Sequence, residues 1–460
     1  MSIKINPQSH PLLFNPPHWL LLAGLVAVFI YAVWPLLAGY AVLRHDSVLW
    51  YPMYDYLARS VVHGDFPFWN PYIHGGEPFY YAINIIRLTD PIYLLSILVA
   101  KFSDIGTLDI YNAVYAARIF VTAVGVYALI YVLTDSRWAA FVSVLAGLVG
   151  GFTSKLLMGV GSLDGLCWAP WIVFTAIRLL GAGPTSRRFW TLATAYFAGI
   201  YLGAAVYHWV LGAFVAILFL GTMLVNGRDV LTKLYQQTRG SRVLALTLLV
   251  ALCAQPIVLA QERSEIFPAV RMIERQAIYQ QTAGTLWGGY EQIASNSPYI
   301  GRGSATFLLS LITPPENVLP AIILMFIGFV FAAFRFKHNF LLVIVACVIV
   351  YVGPRPELGS LESMNAALYR LFPPLSLVRH PAMLDGYLLF FAMILMGFGF
   401  QTVCHYIDKF SRTFAGGASG VGAIVRSTSI YIRIVIVIAV SILGAYLAGR
   451  HCQKDCERII

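Results

Sequence analysis

Residues Trp19 to Leu43 read WLLLAGLVAVFIYAVWPLLAGYAVL, an apolar run without a single charge. A helix needs roughly 20 such residues to cross the hydrocarbon core of a bilayer, so this run is long enough to span with some tilt. Val318 to Phe334 is a second run of the same kind. The chain around them is 59% hydrophobic and only 11% charged over 460 residues, with a mean hydropathy of +0.74. A soluble domain carries about 25% charged residues. So few charges cannot cover a water-facing surface, and lipid is the expected main solvent. Aromatic residues make up 14%, as expected where Trp and Tyr ring both membrane interfaces.

The formal net charge is +10 and the isoelectric point about 9.3. The positive-inside rule accounts for this excess, because Lys and Arg gather in cytoplasmic loops. No nucleic-acid-binding motif is present, and nucleic acid is not an expected partner. Neither a P-loop nor a dinucleotide-binding fingerprint occurs. Cys167, Cys253, Cys347 and Cys404 lie in apolar runs and read as small core residues. Cys452 and Cys456 stand close enough to pair if that end faces an oxidising compartment. Only Lys4 precedes the first run and no cleavage site follows it, the pattern of an uncleaved signal anchor.

Hydropathy places spans near 19–43, 111–133, 138–153, 163–181, 189–205, 208–226, 243–261, 318–335, 339–353, 386–404 and 430–449. The expected fold class is therefore an all-α integral membrane bundle of about eleven helices. The apolar stretch Pro91 to Phe102 is too short to cross and reads as an interfacial or re-entrant helix. Alternate loops hold Arg137, then Arg187 and Arg188, then Arg228, Lys233, Arg239 and Arg242, then Arg335 and Lys337, then Lys409, Arg412 and Arg426. One alternation puts all of these in the cytoplasm with Lys4, so the N-terminus is expected there. The other side receives long segments at 44–110, 262–317 and 354–385, rich in Tyr, Trp and Pro and read as folded. The transmembrane domain is expected over 1–405, a glycine-rich cytoplasmic loop over 406–429, and a final span with a short tail over 430–460.

The first outer segment opens Arg44-His45-Asp46 as the first helix leaves the membrane. It continues through Asp55 to Gly64-Asp65-Phe66-Pro67-Phe68-Trp69-Asn70-Pro71 and Gly75-Gly76-Glu77-Pro78. A carboxylate at a membrane edge can serve as a general base or a metal ligand, or merely mark the interface. A Trp-Asn pair between prolines can wall a sugar ring, or simply shape a loop. Asp46 and Asp55 offer two carboxylates but no third ligand is visible, so no tightly bound metal is expected. Arg118 lies inside the second span, where it must find a partner or reach the bilayer surface.

These motifs resemble the YfhO family of bacterial membrane proteins, of the GT-C class of glycosyltransferases, which carries a G-x-x-P-x-W-N-P…G-x-P run at this place. Trp168-Ala169-Pro170, Tyr207-His208, Thr313-Pro314-Pro315 and Pro373-Pro374-Leu375-Ser376-Leu377-Val378-Arg379-His380-Pro381 follow in the family's order. The resemblance covers roughly residues 30–405. It implies transfer of a sugar from a polyprenyl-phosphate carrier to an acceptor on the outer face of the bacterial inner membrane, with inversion and no cofactor. Asp46 would be the catalytic base. Arg379, then Arg263 and Lys155, would hold the phosphate. Arg118, His45, Asp55, Trp69, Asn70, His74, His208 and Glu262 are further candidates for substrate binding.

The family's Gly-His-Leu before the helix at 163 is replaced by Gly161-Ser162-Leu163-Asp164, and the chain ends soon after its last expected span. Both departures support an alternative: a non-catalytic membrane subunit of a larger complex on the same scaffold. A transporter is a weaker reading, because the spans lack paired ionisable residues and broken-helix repeats. Membrane lipids are expected partners in every case.

Overall fold

The computed structural model describes residues 18–39, 46–71, 77–79, 90–149, 167–180, 319–332, 337–352, 360–372 and 384–415, with isolated helical residues between 214 and 232. The described residues are mostly helical. In chain order the elements are α1 (His18–Leu37), α2 (Asp46–Val62), β1 (Trp69–Asn70), β2 (Glu77–Pro78), α3 (Pro91–Phe102), α4 (Thr107–Thr134) and α5 (Arg137–Val149). They continue with α6 (Ala169–Leu180), α7 (Leu319–Val330), α8 (Lys337–Val352), α9 (Ser360–Leu371) and α10 (Asp385–Ala415). Among the described residues, α4 and the Phe390–Ile407 part of α10 are long and apolar enough to cross a membrane. The expected spans at 189–205, 208–226, 243–261 and 430–449, and Cys452 and Cys456, lie outside the described residues or touch them only in fragments.

Helix α4 is the axis of the structure. It contains no proline, and α1, α2, α3, α5, α6 and α10 all pack on it. Its end is set by Asp135, which takes a left-handed conformation at φ 55° and donates its backbone N–H to the Tyr131 carbonyl over 2.8 Å. Asp tolerates this conformation better than most residues. Ser136 then starts α5, its hydroxyl accepting from the Ala139 N–H at 3.2 Å, an N-cap bond. The chain thus reverses in two residues and returns α5 along α4, the tight turn expected around Arg137.

Hydroxyls in the long helices are satisfied within their own helix. Thr122 donates to Arg118 O, Thr134 to Ile130 O, Ser143 to Ala139 O and Thr402 to Phe398 O. This is the arrangement required where no water is available to accept. Gln401 reaches across from α10 and donates to the Thr134 carbonyl at 2.6 Å, closing one of α4's terminal acceptors.

The closest helix crossing is between α7 and α10. A Cβ added to Gly399 would lie 1.8 Å from the Leu324 carbonyl oxygen, and one added to Gly328 would lie 2.0 Å from that of Leu395. The two backbones touch because both positions lack side chains, which lets helices approach more closely than any other residue allows.

One boundary and one segment differ from expectation. Helix α10 continues to Ala415, beyond the span end expected at 404, and carries Lys409 and Arg412 on helix rather than loop. At 31 residues it is longer than a bilayer core requires. The segment 354–385, expected on the outer side, contains a helix, α9, over Ser360–Leu371.

Candidate functional site

The described residues between α1 and α4 pack together on the N-terminal half of α4. Helix α2 lies across it. Tyr54, fully buried, donates to Ser96 Oγ of α3 at 2.9 Å. Its ring meets those of Tyr93 on α3 and Tyr111 on α4, with centroids 6.1 and 5.1 Å apart. Burial pushes the Tyr54 phenol up to about 12, so it stays neutral. Tyr111 in turn meets Tyr115 hydroxyl to hydroxyl at 3.1 Å.

Beneath these tyrosines, Arg118 of α4 forms an ion pair with Asp90, Nη2 to Oδ2, at 2.7 Å. The side chains are 0% and 1% exposed. The Arg118 guanidinium also lies 4.3 Å from the centroid of the Tyr93 ring, a favourable cation–π placement. Asp90 is bound on three sides. Its Oδ1 accepts from the Ile92 N–H at 2.8 Å, capping α3, and Pro91 occupies the first helical position. Its Oδ2 accepts from Arg118 and, at 3.3 Å, from Trp168 Nε1 just before α6. The Trp168-Ala169-Pro170 motif therefore has a structural task. Trp168 reaches Asp90, while Pro170 and Trp171 pack where Gly125 leaves room on α4.

The hairpin formed by the Pro/Trp motif is a short antiparallel ladder, Trp69 opposite Pro78 and Asn70 opposite Glu77. Tyr56 of α2 donates its hydroxyl to the Trp69 carbonyl at 2.8 Å, and its ring stands edge-on to buried Phe79. Successive strand residues face opposite ways. Trp69 is accordingly 54% exposed and Asn70 only 2%. The two cannot wall one ring together: Trp69 presents its indole outward and Asn70 is part of the packing.

Asp46 is the first residue of α2, which begins shortly after α1 ends. Asp55 lies on the same helix, nine residues and therefore about 13 Å further along the axis. That separation is too great for the two carboxylates to share one ion. Asp55 is engaged by Arg59 at 2.9 Å and accepts a hydrogen bond from Thr107 at the start of α4. The same pairing raises the Arg59 pKa above its ordinary value. No group of three or more His, Cys, Asp or Glu that could hold a metal occurs among the described residues.

Of the candidates read from sequence, the structure thus describes Asp55, Trp69, Asn70 and Arg118, and the helix position of Asp46. Arg379, Arg263, Lys155, His45, His74, His208 and Glu262 lie outside the described residues. Sequence reading named Trp168 only as part of the Trp168-Ala169-Pro170 motif and missed Asp90 and the tyrosines around Arg118. The available signal was Asp90-Pro91 before an apolar run, the signature of a capped helix start.

No protein-family model and no characterised protein matches this chain.

Proposed function

We propose that this chain is a multi-pass inner-membrane protein of about eleven spans on a GT-C-type scaffold, which transfers a sugar from a polyprenyl-phosphate carrier to an acceptor hydroxyl on the non-cytoplasmic face. The observation that carries the reading is the position of Asp46. It opens α2, the next helix after the apolar α1, ahead of the Gly64–Pro71 and Gly75–Pro78 motifs. In the proposed reaction Asp46 takes the proton of the acceptor hydroxyl. The oxygen attacks the anomeric carbon from the face opposite the phosphate, the bond from sugar to phosphate breaks, and polyprenyl phosphate leaves. A positioned base contributes about 10²–10⁴-fold. The leaving phosphate needs cations near the bilayer surface, a role given to Arg379, with Arg263 and Lys155 beside it. His45, His74, His208, Glu262 and the exposed Trp69 are the residues offered to sugar and acceptor. Arg118 and Asp55, both engaged by other side chains, act on the shape of the segment instead of on the ligand.

The test is reconstitution of the full chain in vesicles with labelled polyprenyl-phosphate sugars. Release of polyprenyl phosphate together with a labelled product supports the reading. Absence of transfer across a panel of such donors and envelope-derived acceptors removes it.

A second reading, a non-catalytic subunit on the same scaffold, is favoured by one observation: Arg118, Asp55 and Asn70 all serve packing within the segment. Stable purification within a larger membrane complex, without sugar transfer, distinguishes it.

A further inference from the structure

Helix α3 is only 12 residues long, about 18 Å, too short to cross a bilayer. It nevertheless turns an apolar face outward. Leu94, Leu95, Leu98 and Phe102 are all exposed, Leu95 by 61% and Phe102 by 80%. The opposite face, with Tyr93, Ile97 and Ala100, is buried against α2 and α4. In water such a stripe would be unfavourable in proportion to its exposed apolar area. We infer that α3 is a half-membrane helix whose Leu94–Phe102 face is covered by acyl chains of the outer leaflet.

Three further observations name lipid as the occupant. First, α3 runs antiparallel to α4. Its C-terminal end joins Thr107 through a short loop, while Asp90 at its N-terminal end is bonded to Arg118. From Thr107 to Arg118 is about 16 Å along the axis of α4, so α3 lies alongside a helix long and apolar enough to span. Its free face meets the same surroundings as that helix. Second, the end that would lie deepest engages its first backbone groups and its acid within the protein. Proline replaces one N–H, Asp90 Oδ1 accepts a second from Ile92, the Asp90 carbonyl accepts from Leu94 at 3.0 Å, and the Asp90 charge is matched by Arg118. A helix terminus in hydrocarbon must satisfy its backbone groups in this way, whereas one in water need not. Third, charge collects at the other end. Lys101 and Asp104 are exposed beside Ser103, whose hydroxyl caps the Val99 carbonyl at 2.7 Å. That order, apolar stripe then charged rim, is the order of a leaflet from tails to headgroups.

This inference rests on the membrane part of the proposed function and not on the enzymatic part. The test uses the wild-type full chain in phosphatidylcholine–phosphatidylglycerol vesicles. One sample contains a lipid with a diazirine at mid-acyl chain. A second receives a water-soluble diazirine. After irradiation, peptide mapping locates the carbene adducts. The expected result is lipid-borne adducts within residues 94–102 at a level comparable to the outward residues Tyr31 and Trp34 of α1, with at least fivefold fewer adducts there from the soluble probe. Labelling of 94–102 by the soluble probe, or by neither probe while α1 is labelled from lipid, overturns it. If α1 also labels only from water, the membrane reading falls as well. Failure of sugar transfer leaves the inference standing.

Discussion

Arg118 and Asp90 meet at 2.7 Å with both side chains sealed from solvent, and through this contact the start of α3 is fixed to the middle of α4. Trp168 adds the entry to α6 to the same carboxylate. One buried acid therefore holds three elements in register beneath the first outer segment.

Removing one partner leaves the other charge buried without a counterion. Asp90→Asn or Arg118→Met alone is expected to cost about 3–5 kcal/mol. The double variant Asp90→Leu with Arg118→Met removes both charges and is expected to regain all but the lost helix cap, worth about 1 kcal/mol. Thermal retention of the monodisperse protein in detergent reads this out. A double variant no better than either single would show that the pair is not the source of the loss.

The crossing of α7 and α10 depends on glycine at two positions. Gly399→Ala and Gly328→Ala each drive a methyl group into a facing carbonyl. Each is expected to lower stability by about 1–3 kcal/mol. Gly221→Ala, where nothing lies within 4 Å, is the control and should change stability little. Equal effects at all three sites would contradict the close approach.

Tyr54 supplies a pH dependence whose sign is fixed. Its phenol is raised from 10.0 to about 12 in the folded protein, so its contribution is complete below the unfolded value. It is lost as pH rises through the folded one. The Tyr54 contribution is expected to be independent of pH from neutral up to the unfolded value and to fall above it. Tyr54→Phe should forfeit about 1 kcal/mol at neutral pH, the hydrogen bond to Ser96, and show a shallower alkaline loss. Denaturant midpoints measured against pH for both proteins check this.

Trp69 and Asn70 are neighbours with opposite surroundings. Trp69→Ala is expected to change stability by less than about 0.5 kcal/mol and, under the proposed activity, to raise KM for sugar or acceptor with kcat little changed. Asn70→Ala is expected to cost about 1–3 kcal/mol, the price of disturbing a buried polar group. Destabilisation by the Trp69 change and none by the Asn70 change would reverse the assignment of the two faces.

The helical character of the chain was legible because it is written in long charge-free runs. The extent of α3 was equally plain, since the apolar run begins at Pro91 and ends at Phe102. Arg118 announced itself as a charge in need of a partner. The partner's identity was hidden, because Asp90 reaches it only once α3 folds back along α4. Glycines 328 and 399 were unreadable for a related reason: a missing side chain has meaning only when the facing helix is known. The length of α10 was underestimated because a hydropathy span stops at the first charges, whereas the helix continues past them with Lys409 and Arg412 on it. In the first outer segment, sequence singled out Trp69 and Asn70 together. The strand's alternation then separates them.

The account depends most on Asp46 as the base. Turnover of a polyprenyl-phosphate sugar by the reconstituted wild-type chain should be compared with Asp46→Asn and with Asp55→Asn. The expected result is a loss of at least about 10²-fold in kcat for Asp46→Asn, with Asp55→Asn within a few-fold of wild type. Full turnover by Asp46→Asn would contradict the account.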